Sequence, residues 1–476
     1  MVRSVRLQAL LLFAVVAAVP GRAHAQAHPA PAAPAPGAAA AETEPSEAML
    51  APAARPRRTV ATWNEALAHV RARSTELRSA QADVAQAEAL SRIALAGALP
   101  TLAGSATGTH QFLTNPSSQV VGIDAATRQP IFREFTSPTS NYVQAQGQLV
   151  APVLALGAWH AIGTASLNTD GARLSVEDTK RTISLNVAST LVGVVAAERI
   201  AELIRSGLRD ALQRLEFAQR RRTLGGAATI LDVVRAQQDT EAARATLIAG
   251  DESLRQAREA LGLALGLPEE VGVAPGFKLA GFERSATGAC ATARSIEDMP
   301  NVAAARLDVE AAEHAVGDVS LSFVPTVGIQ SSVTTTTIDT GASPNTLWNI
   351  QAVLSVPIFD GGVRYGNLRN ANAKLDRFEQ TLESTRRKTT ILVAQARRAV
   401  AVAEQARKTA NDGRTAASEN DRLTRLAFGI GQGTSTDLIL AAASLRQADV
   451  GLALREFDLV RARIVAIITA AARCEL

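Results

Sequence analysis

The residues that catalytic and metal sites most often use are scarce in this sequence. Its 476 residues include 2 cysteines, 6 histidines and 3 methionines, and no His/Cys cluster has the spacing of metal ligands. The glycine-rich segments also lack the Lys-Ser/Thr pair of a phosphate-binding loop. These absences leave neither a zinc site nor a nucleophile triad to assemble. We therefore predict no enzyme, no cofactor and no bound metal.

An excess of charge of one sign is also missing. The formal net charge is +4 at pH 7, which is small for this length, and Lys and Arg alternate with Asp and Glu along candidate helical faces. That pattern indicates a solvated surface, whereas a nucleic-acid-binding protein concentrates its Lys and Arg in a patch. The sequence therefore predicts no nucleic-acid partner.

Long apolar runs are absent after the first residues. Residues 1–25 have a basic start, a short apolar stretch and the small-residue ending "AHA" at Ala25, as in a secretory signal peptide. The apolar stretch is much shorter than the roughly 20 residues of a membrane-spanning helix, and no later window is apolar enough for one. Because no cysteine follows Ala25 directly, we expect no lipid attachment there. Residues 26–58, rich in Ala and Pro, are predicted to form a disordered tether, with folded structure beginning near Thr59.

Four long stretches of the sequence contain no proline, so a helix can form in each of them. Since Pro disrupts a helix interior by about 3 kcal/mol, helices are predicted within residues 57–99, 153–267, 301–324 and 358–476. Apolar residues recur there at threes and fours, for example Ile200, Ile204, Leu208, Leu212 and Leu215. A helix over residues 158–222 would extend close to 100 Å at about 1.5 Å per residue. We therefore predict a mainly α protein with unusually long helices.

What the sequence does contain is a repeated turn. Residues 223–237, "TLGGAATILDVVRAQ", resemble residues 428–442, "FGIGQGTSTDLILAA", and Asp437 minus Asp232 gives a shift of 205 positions. Internal repetition over such a distance indicates a repeated structural unit of roughly 200 residues. We predict a first repeat over residues 59–280 with its tip turn at 223–232, a linker over 281–300, and a second repeat over 301–472 with its tip turn at 428–437.

Segments beside the prolines alternate apolar and uncharged polar residues. In "NYVQAQGQLVA", residues 141–151, three glutamines alternate with Val143, Ala145 and Leu149, which is the period-two pattern of a β-strand with one apolar face. Such strands fit the length of membrane-spanning strands, but a soluble four-stranded domain fits the alternation as well. Four strands cannot close a barrel, and lipid does not tolerate open edges, so a membrane barrel would need several chains. The predicted strands lie at about residues 100–112, 141–152, 325–338 and 347–358.

Taken in order, these motifs resemble the TolC-like outer-membrane efflux protein family. The resemblance covers about residues 59–472 and depends on "ALPTL" and "FVPTV" before strands, "LVAPVLALGAW" and "LSVPIFDGGVR" after strands, and "GGAATILDVVRAQ" and "GQGTSTDLILAAAS" at the turns. It implies a mainly α fold with four β-strands per chain. In this fold, a homotrimer shares a transmembrane β-barrel of twelve strands and a long α-helical coiled-coil barrel. The loops at residues 114–140 and 339–345 would then be extracellular.

The same resemblance implies the outer-membrane channel of a tripartite efflux or secretion system, a passive conduit to the exterior of a Gram-negative bacterium. Its partners would be a periplasmic adaptor protein, an inner-membrane pump and outer-membrane lipid. The sequence identifies neither the exported substrate nor the pump family. A soluble periplasmic coiled-coil adaptor is the alternative. It uses similar coiled coils, but it does not need four amphipathic strands that are free of charge.

Both repeated turns carry Thr-x-x-Asp after glycines. This is the spacing of a capping box, and the glycines allow the φ > 0 conformation that ends the preceding helix. One interpretation is therefore that each aspartate only starts a helix. The resemblance implies in addition that the tips form the periplasmic entrance and dock the adaptor, through Gly225, Gly226, Thr229, Gly431, Gly433 and Thr434. Asp437 would form a carboxylate ring at the pore constriction with Leu440 as an apolar collar, and Asp232 is the second candidate for that ring. Leu440 stands where family members with two acidic rings carry an acid.

The two cysteines lie far apart in the sequence. Cys290 is in the linker and Cys474 follows the second repeat. In an oxidising periplasm such a pair commonly forms a disulfide, although two unrelated thiols would also account for the count. We predict the bridge, which would pin the end of the second repeat to the linker and stabilise the fold by a few kcal/mol in a chain-entropy model.

Overall fold

A computed structural model describes residues 49–110, 112, 116–136, 141–225, 229–337 and 345–476. The predicted signal peptide and most of the predicted tether therefore lie outside the described residues. The helices are α1 (Trp63–Arg73), α2 (Thr75–Gly97), α3 (Leu156–Gly225), α4 (Ile230–Ala264), α5 (Leu279–Gly288), α6 (Pro300–Ser320), α7 (Val363–Gly429) and α8 (Ser435–Thr469). The strands are β1 (Arg58–Val60), β2 (Thr101–His110), β3 (Pro116–Ile123), β4 (Pro130–Thr136), β5 (Asn141–Leu154), β6 (Val271–Val273), β7 (Cys290–Thr292), β8 (Thr326–Thr336), β9 (Thr346–Ser355) and β10 (Ala471–Cys474).

Two very long helices dominate the fold, one in each repeat. Helix α3 has 70 residues and α7 has 67, so each extends about 100 Å at 1.5 Å per residue. Each is followed, after a short turn, by a helix of 35 residues, α4 or α8, that packs back against it. The absence of proline from these stretches permits such lengths. The two helical hairpins, α3–α4 and α7–α8, are the structural form of the sequence repeat.

One antiparallel sheet of four strands, in the order β2-β5-β8-β9, contains two strands from each repeat. Its register gathers the polar side chains on one face: Gln148 lies opposite Ser332, and Ser332 lies opposite Asn349. The Ser332 hydroxyl donates to Asn349 Oδ1 at 2.8 Å, and Gln351 donates to the Gln330 side chain at 3.1 Å. The period-two alternation of the sequence therefore becomes a hydrogen-bonded polar face.

The opposite face of this sheet is apolar and exposed. Leu102 lies opposite Leu149, and Trp348 lies opposite Val333. The side chains of Leu102, Trp348 and Ile350 are 79%, 67% and 62% exposed. Because large apolar patches are rare on the surfaces of soluble monomers, this face marks a surface that contacts something other than water.

The stretch expected as the first extracellular loop, residues 114–140, contains a second small sheet. Strands β3 and β4 pair as an antiparallel hairpin, with an irregularity in register after Val120. The tip is ordered by Asp124, whose carboxylate accepts hydrogen bonds from the Ala126 and Thr127 amides at 2.8 and 3.2 Å. The sequence analysis missed this hairpin because its strands are short and its alternation is interrupted. Most of the second expected loop, residues 339–345, lies outside the described residues.

A buried cluster at mid-height of the helices, here called the equatorial core, joins both repeats and the linker. It includes Trp63 of α1 and Phe282 of α5, whose rings meet edge to face with centroids 5.3 Å apart. The other large, fully buried members are Leu191, Leu261, Leu265, Ile464 and Ile468. These side chains come from α3, α4, the residue directly after α4, and α8, so the middle of the molecule is fixed by packing between distant parts of the chain.

Residues 54–58 are packed against the folded part of the chain, whereas the sequence predicted a disordered tether. The Ala54 carbonyl accepts a hydrogen bond from the Arg258 guanidinium at 2.8 Å. Pro56 packs so closely on Gly272 that a Cβ at that glycine would clash with the proline ring. Strand β1 then pairs with β6 in parallel. Disorder was predicted from the Ala/Pro-rich composition of these residues. Composition contains no information about their contacts, which are made with residues about 200 positions later in the sequence.

The linker between the repeats returns to the equatorial core. Strand β7 pairs antiparallel with β10, and this register places Cys290 opposite Cys474. The two sulfur atoms are bonded at 2.01 Å, across a sequence separation of 184. The bond fixes the end of the second repeat to the linker.

A buried ion triad holds the two helical hairpins together between the equatorial core and the tips. The Asp239 carboxylate on α4 forms two ion pairs. Its oxygens lie 3.0 Å from the Arg214 guanidinium of α3 and 2.6 Å from the Arg446 guanidinium of α8. Only 7% of the Asp239 side chain is exposed, and burial lowers the pKa of the Arg214 guanidinium. The Arg446 side chain passes over Gly207 to reach the triad. A side chain at position 207 would clash with it, because a Cβ there would lie 2.7 Å from Arg446 Cδ. One carboxylate thus links both repeats.

We predict that the folded protein resists thiol modification. Without reduction, maleimide–polyethylene glycol should add to neither cysteine, and after reduction to both. Replacing both residues, Cys290→Ala with Cys474→Ala, should lower the free energy of unfolding by about 2–5 kcal/mol, because the unfolded chain loses its cross-link. Two adducts on the unreduced protein would contradict the bridge.

The triad yields a second prediction. Asp239→Asn should destabilise the packing of the hairpins by about 3 kcal/mol, because it leaves two mostly buried guanidinium groups without a counter-charge. Hydrogen exchange should then speed up in α4 and in the adjoining part of α8. Asp412→Asn, at an exposed position of α7, is the matched control and should leave exchange unchanged. If hydrogen exchange in α4 and α8 is the same in the Asp239→Asn and Asp412→Asn variants, the triad contributes nothing to this packing.

Candidate functional site

The candidate functional site is the pair of turns at the ends of the helical hairpins, called here the first tip (residues 223–235) and the second tip (residues 428–440). In the second tip, α7 ends in a Schellman motif: the Gln432 amide donates to the Ala427 carbonyl at 2.8 Å and the Gly431 amide donates to the Phe428 carbonyl at 3.2 Å. Gly431 has φ of 80°, a conformation that favours glycine. A Cβ at Gly433 would lie 3.0 Å from the Phe428 nitrogen. Both glycines are therefore required by the backbone.

The capping boxes predicted from the sequence are confirmed in both tips. Thr434 Oγ1 accepts from the Asp437 amide at 3.2 Å, and the Asp437 carboxylate accepts from the Thr434 amide at 3.2 Å. Thr229 and Asp232 make the same reciprocal bonds, at 3.2 and 2.8 Å. In the first tip, Gly225 is the last residue of α3, and Gly226 lies outside the described residues.

The two aspartates differ in their surroundings. Asp437 is exposed, and the hydrogen bonds from the Thr434 side chain and amide lower its pKa. Leu440, one turn later, is 63% exposed, so both residues are accessible on the single chain. Asp232 also accepts a hydrogen bond from the Ser435 hydroxyl of the second tip, and this bond is the main cause of its lowered pKa. Asp232 therefore joins the two tips.

Ser435 is a residue that the sequence analysis missed. The repeat alignment places it opposite Ile230, since both lie one residue after the capping threonine. The sequence signal was this difference between the repeats. Ser435 is polar, whereas the aligned Ile230 is apolar and exposed, although both follow a capping threonine. Its partner was not readable from sequence, since 203 positions separate Ser435 from Asp232.

A groove of about 490 Å³ lies between the two tips. Its apolar lining includes Phe217 and Leu231 from the first repeat and Phe428 and Leu438 from the second. Arg221 spans the groove, with its guanidinium carbon 5.7 Å from the Phe217 ring centroid and 5.1 Å from the Phe428 ring centroid. These are cation–π distances, so an arginine and two aromatic rings connect the repeats at the open end of the hairpins.

Two other kinds of feature are absent from the described ranges. Among those residues, no group of three or more His, Cys, Asp or Glu side chains is arranged to hold a metal ion. No helix within the part of the chain that the structure describes combines the length and the apolar character needed to cross a membrane.

Known proteins share this architecture. Residues 66–267 and 293–465 match the family model described as "Outer membrane efflux protein". The structure resembles that of the outer membrane protein VceC from Vibrio cholerae with a TM-score of 0.69 and 17% identity, over 86% of this chain and 96% of that one. It also resembles a membrane protein from Pseudomonas aeruginosa with a TM-score of 0.70 and 21% identity, over 89% of this chain and 99% of that one.

A curated relative is the probable outer membrane lipoprotein SilC of Salmonella typhimurium, which is 21% identical over 219 residues. The match covers 44% of this chain and 47% of SilC, so it spans about half the length of that relative. The family model covers both repeats, and the fold of the two solved structures extends over 86% and 89% of this chain. These findings do not favour the soluble adaptor. The chain belongs to the outer membrane efflux protein family.

Proposed function

We propose that three copies of this chain form one channel through the outer membrane. The observation that carries the proposal is the four-stranded sheet, whose outer strands β2 and β9 each have one unpaired edge. Its polar face carries uncharged hydrogen-bonding side chains and its other face exposes large apolar ones. Lipid requires every backbone hydrogen bond to be satisfied. Pairing β2 of one copy with β9 of the next closes a barrel of twelve strands, with the polar faces lining the pore.

The helical hairpins then form a tunnel in the periplasm. Helices of about 100 Å are far longer than a membrane thickness, and α3 and α7 both leave the sheet in the same chain order. The tips at their far ends would contact a periplasmic adaptor protein and, through it, an inner-membrane pump. The channel is a passive conduit without a catalytic step or a cofactor. The pump and adaptor, rather than this chain, would determine the exported substrate.

We also propose that the mature chain attaches to the membrane through its barrel and carries no lipid at its start. Cys290 and Cys474 are joined to each other, so neither is free to take a lipid through a thioether. In this respect the chain would differ from SilC, which is named a lipoprotein.

At the periplasmic entrance, we infer that Asp437 forms a ring of three carboxylates with Leu440 as an apolar collar. Both side chains are exposed in the single chain, and both lie in the first turns of α8. The capping hydrogen bonds favour the ionised carboxylate, whereas crowding three of them raises each pKa. The ring should therefore be charged at neutral pH and attract cations. Asp232 is the poorer candidate, because its carboxylate is engaged with Ser435.

The trimer has a direct test. In detergent the purified protein should have three times the mass of one mature chain, and Ile350→Arg should reduce the yield of membrane-inserted trimer. An arginine on a lipid-facing strand position costs about 2–4 kcal/mol near the bilayer midplane. Gln351→Arg is the matched control: it places the same charge one residue later in β9 on the polar face, and assembly should persist.

Two results would oppose the shared barrel. One is a cross-linked mass equal to one or two chains. The other is equal assembly of the Ile350→Arg and Gln351→Arg variants, because the two faces of the sheet would then not differ in their environment.

The proposed ring predicts cation selectivity in planar bilayers. The selectivity should weaken as pH falls through the pKa of the ring, since protonation removes the charge, and Asp437→Asn should abolish it together with block by multivalent cations. Asp232→Asn is the matched control and should retain most of the selectivity. If the Asp437→Asn channel matches the parent in conductance, selectivity and block, Asp437 is a helix cap alone.

A further inference from the structure

Two histidines and an aspartate join α3 to α6 where the four-stranded sheet passes into the helices. His160 lies near the beginning of α3, just after β5, and His314 and Asp318 lie near the end of α6, just before β8. The His160 and His314 rings are stacked, with their centroids 4.9 Å apart and their planes inclined by 23°. This cluster belongs neither to the tips nor to the equatorial core, so a separate role has to be found for it.

The His160 ring is held by a carboxylate. His160 Nδ1 lies 2.6 Å from Asp318 Oδ1, and the Thr164 hydroxyl donates to Asp318 Oδ2 at 2.8 Å. Because an ionised carboxylate only accepts hydrogen bonds, His160 Nδ1 carries a proton. A second proton on the same ring would create a positive charge beside a negative one that is already in place.

The His314 ring has no such support. Its Nδ1 is buried and has no hydrogen-bond partner among the described residues, and it faces Gly163, where a Cβ would lie 3.5 Å from it. A neutral imidazole leaves one nitrogen without a proton, whereas an imidazolium carries a proton on both. A charged His314 would therefore bury an N–H group that has no acceptor, which is unfavourable.

The stack exists only while α3 and α6 stay in close contact. The His160 ring lies directly on the α6 backbone, because a Cβ at Gly317 would be 2.7 Å from His160 Cε1. Interiors packed this closely have no room for a charged ring to turn toward water. Protonation of His314 is thus coupled to separation of the two helices.

The remaining charged groups around the stack do not remove this coupling. Helix α3 has no charged residue between His160 and Asp170, and α2, which packs on α3, has none after Arg92. The charged residues of α6 and of the facing part of α7 are Asp308, Glu310, Glu313, Asp360, Arg364 and Lys374. Among these, Arg364 is paired with Asp360 at 2.7 Å, and none provides an acceptor for His314 Nδ1.

The geometry of the two rings does not fit a metal ion. A metal lies in the plane of each imidazole that binds it, at about 2.0–2.1 Å from the nitrogen. Two stacked planes inclined by only 23° do not direct their nitrogen lone pairs at one point. The proton is therefore the ligand to which this pair of rings responds.

We propose that His160, His314 and Asp318 form a pH-sensitive latch between α3 and α6. Above about pH 6.5, where imidazole is ordinarily neutral, the stacked rings hold the two helices together. In acid, His160 takes up a proton beside Asp318, whereas His314 takes up a proton only when the helices separate. The closed latch is therefore favoured at neutral pH and is lost as pH falls below about 6.5. The latch lies within one chain, so it does not depend on the proposed trimer.

The test is hydrogen exchange, followed by mass spectrometry on the full-length protein in detergent. Rates are corrected for the intrinsic effect of pH on exchange. If His314 is protonated only in the separated state, the separated fraction should rise about tenfold between about pH 7.5 and pH 5.5. The rise should be confined to the beginning of α3 and the end of α6. Exchange at the tips and the trimer mass, recorded on the same samples, report on the proposed function separately.

Matched variants assign the rise to the latch. His314→Phe keeps a ring in the stack but takes up no proton, so the tenfold rise should disappear; His314→Gln should do the same and serves if the Phe variant does not fold. Asp318→Asn removes the counter-charge of His160, so the rise should become larger. His69→Phe is the control, because it removes a histidine of α1 that is bonded to Arg73, and the tenfold rise should remain.

Three results would overturn the inference. The first is a rise of less than twofold in the parent protein. The second is the same rise in the parent and in both His314 variants, because acid would then act elsewhere in the chain. The third is slower exchange at the latch when micromolar zinc is added at about pH 7.5 to the parent but not to His314→Phe, which would make the pair a metal site.

Discussion

The unpaired edges of one small sheet are the constraint on which this structure depends. Strands β2 and β9 each leave a row of backbone donors and acceptors open, and the sheet also exposes a broad apolar face. A single chain cannot pair these open backbone groups in lipid, and it cannot cover the apolar face in water. The exposed apolar side chains and the uncharged polar face have the same explanation, since both are suited to a closed wall between lipid and water. The long helical hairpins extend that wall beyond the membrane.

Repetition provides the framework, and departures from it provide the specific contacts. Both repeats use the same helix–strand–strand–helix order and the same capping box at the tip. The Asp239 triad and the bond between Ser435 and Asp232 have no counterpart at the aligned positions, and both join the two repeats. In the proposed trimer, an asymmetric pair of hairpins would give six alternating tips, so two kinds of surface would alternate around the entrance.

Local signals in the sequence were sufficient for the long helices and for the strands of the four-stranded sheet, but not for the β3–β4 hairpin or the short strands. Missing prolines located α3 and α7, period-two alternation located β5, β8 and β9, and glycine with Thr-x-x-Asp located the tips. Contacts between distant residues were not readable in this way. Nothing in the composition of residues 54–58 indicates that Arg258 and Gly272 will bind them, and Asp239 resembles any charged residue of a helix until α8 brings Arg446 to it. The disulfide was predictable only because two cysteines allow a single intrachain pairing.

The topology also has a kinetic consequence. Each helical hairpin is built from neighbouring stretches of chain, so α3–α4 and α7–α8 can form early, through local contacts. The pairing of β5 with β8 instead joins Gln144 to Thr336, and the bond between Cys290 and Cys474 spans 184 positions. Both require a large loop to close before any contact compensates for the lost entropy. The two helical hairpins should therefore form before the sheet and the equatorial core, which depend on contacts between distant parts of the chain.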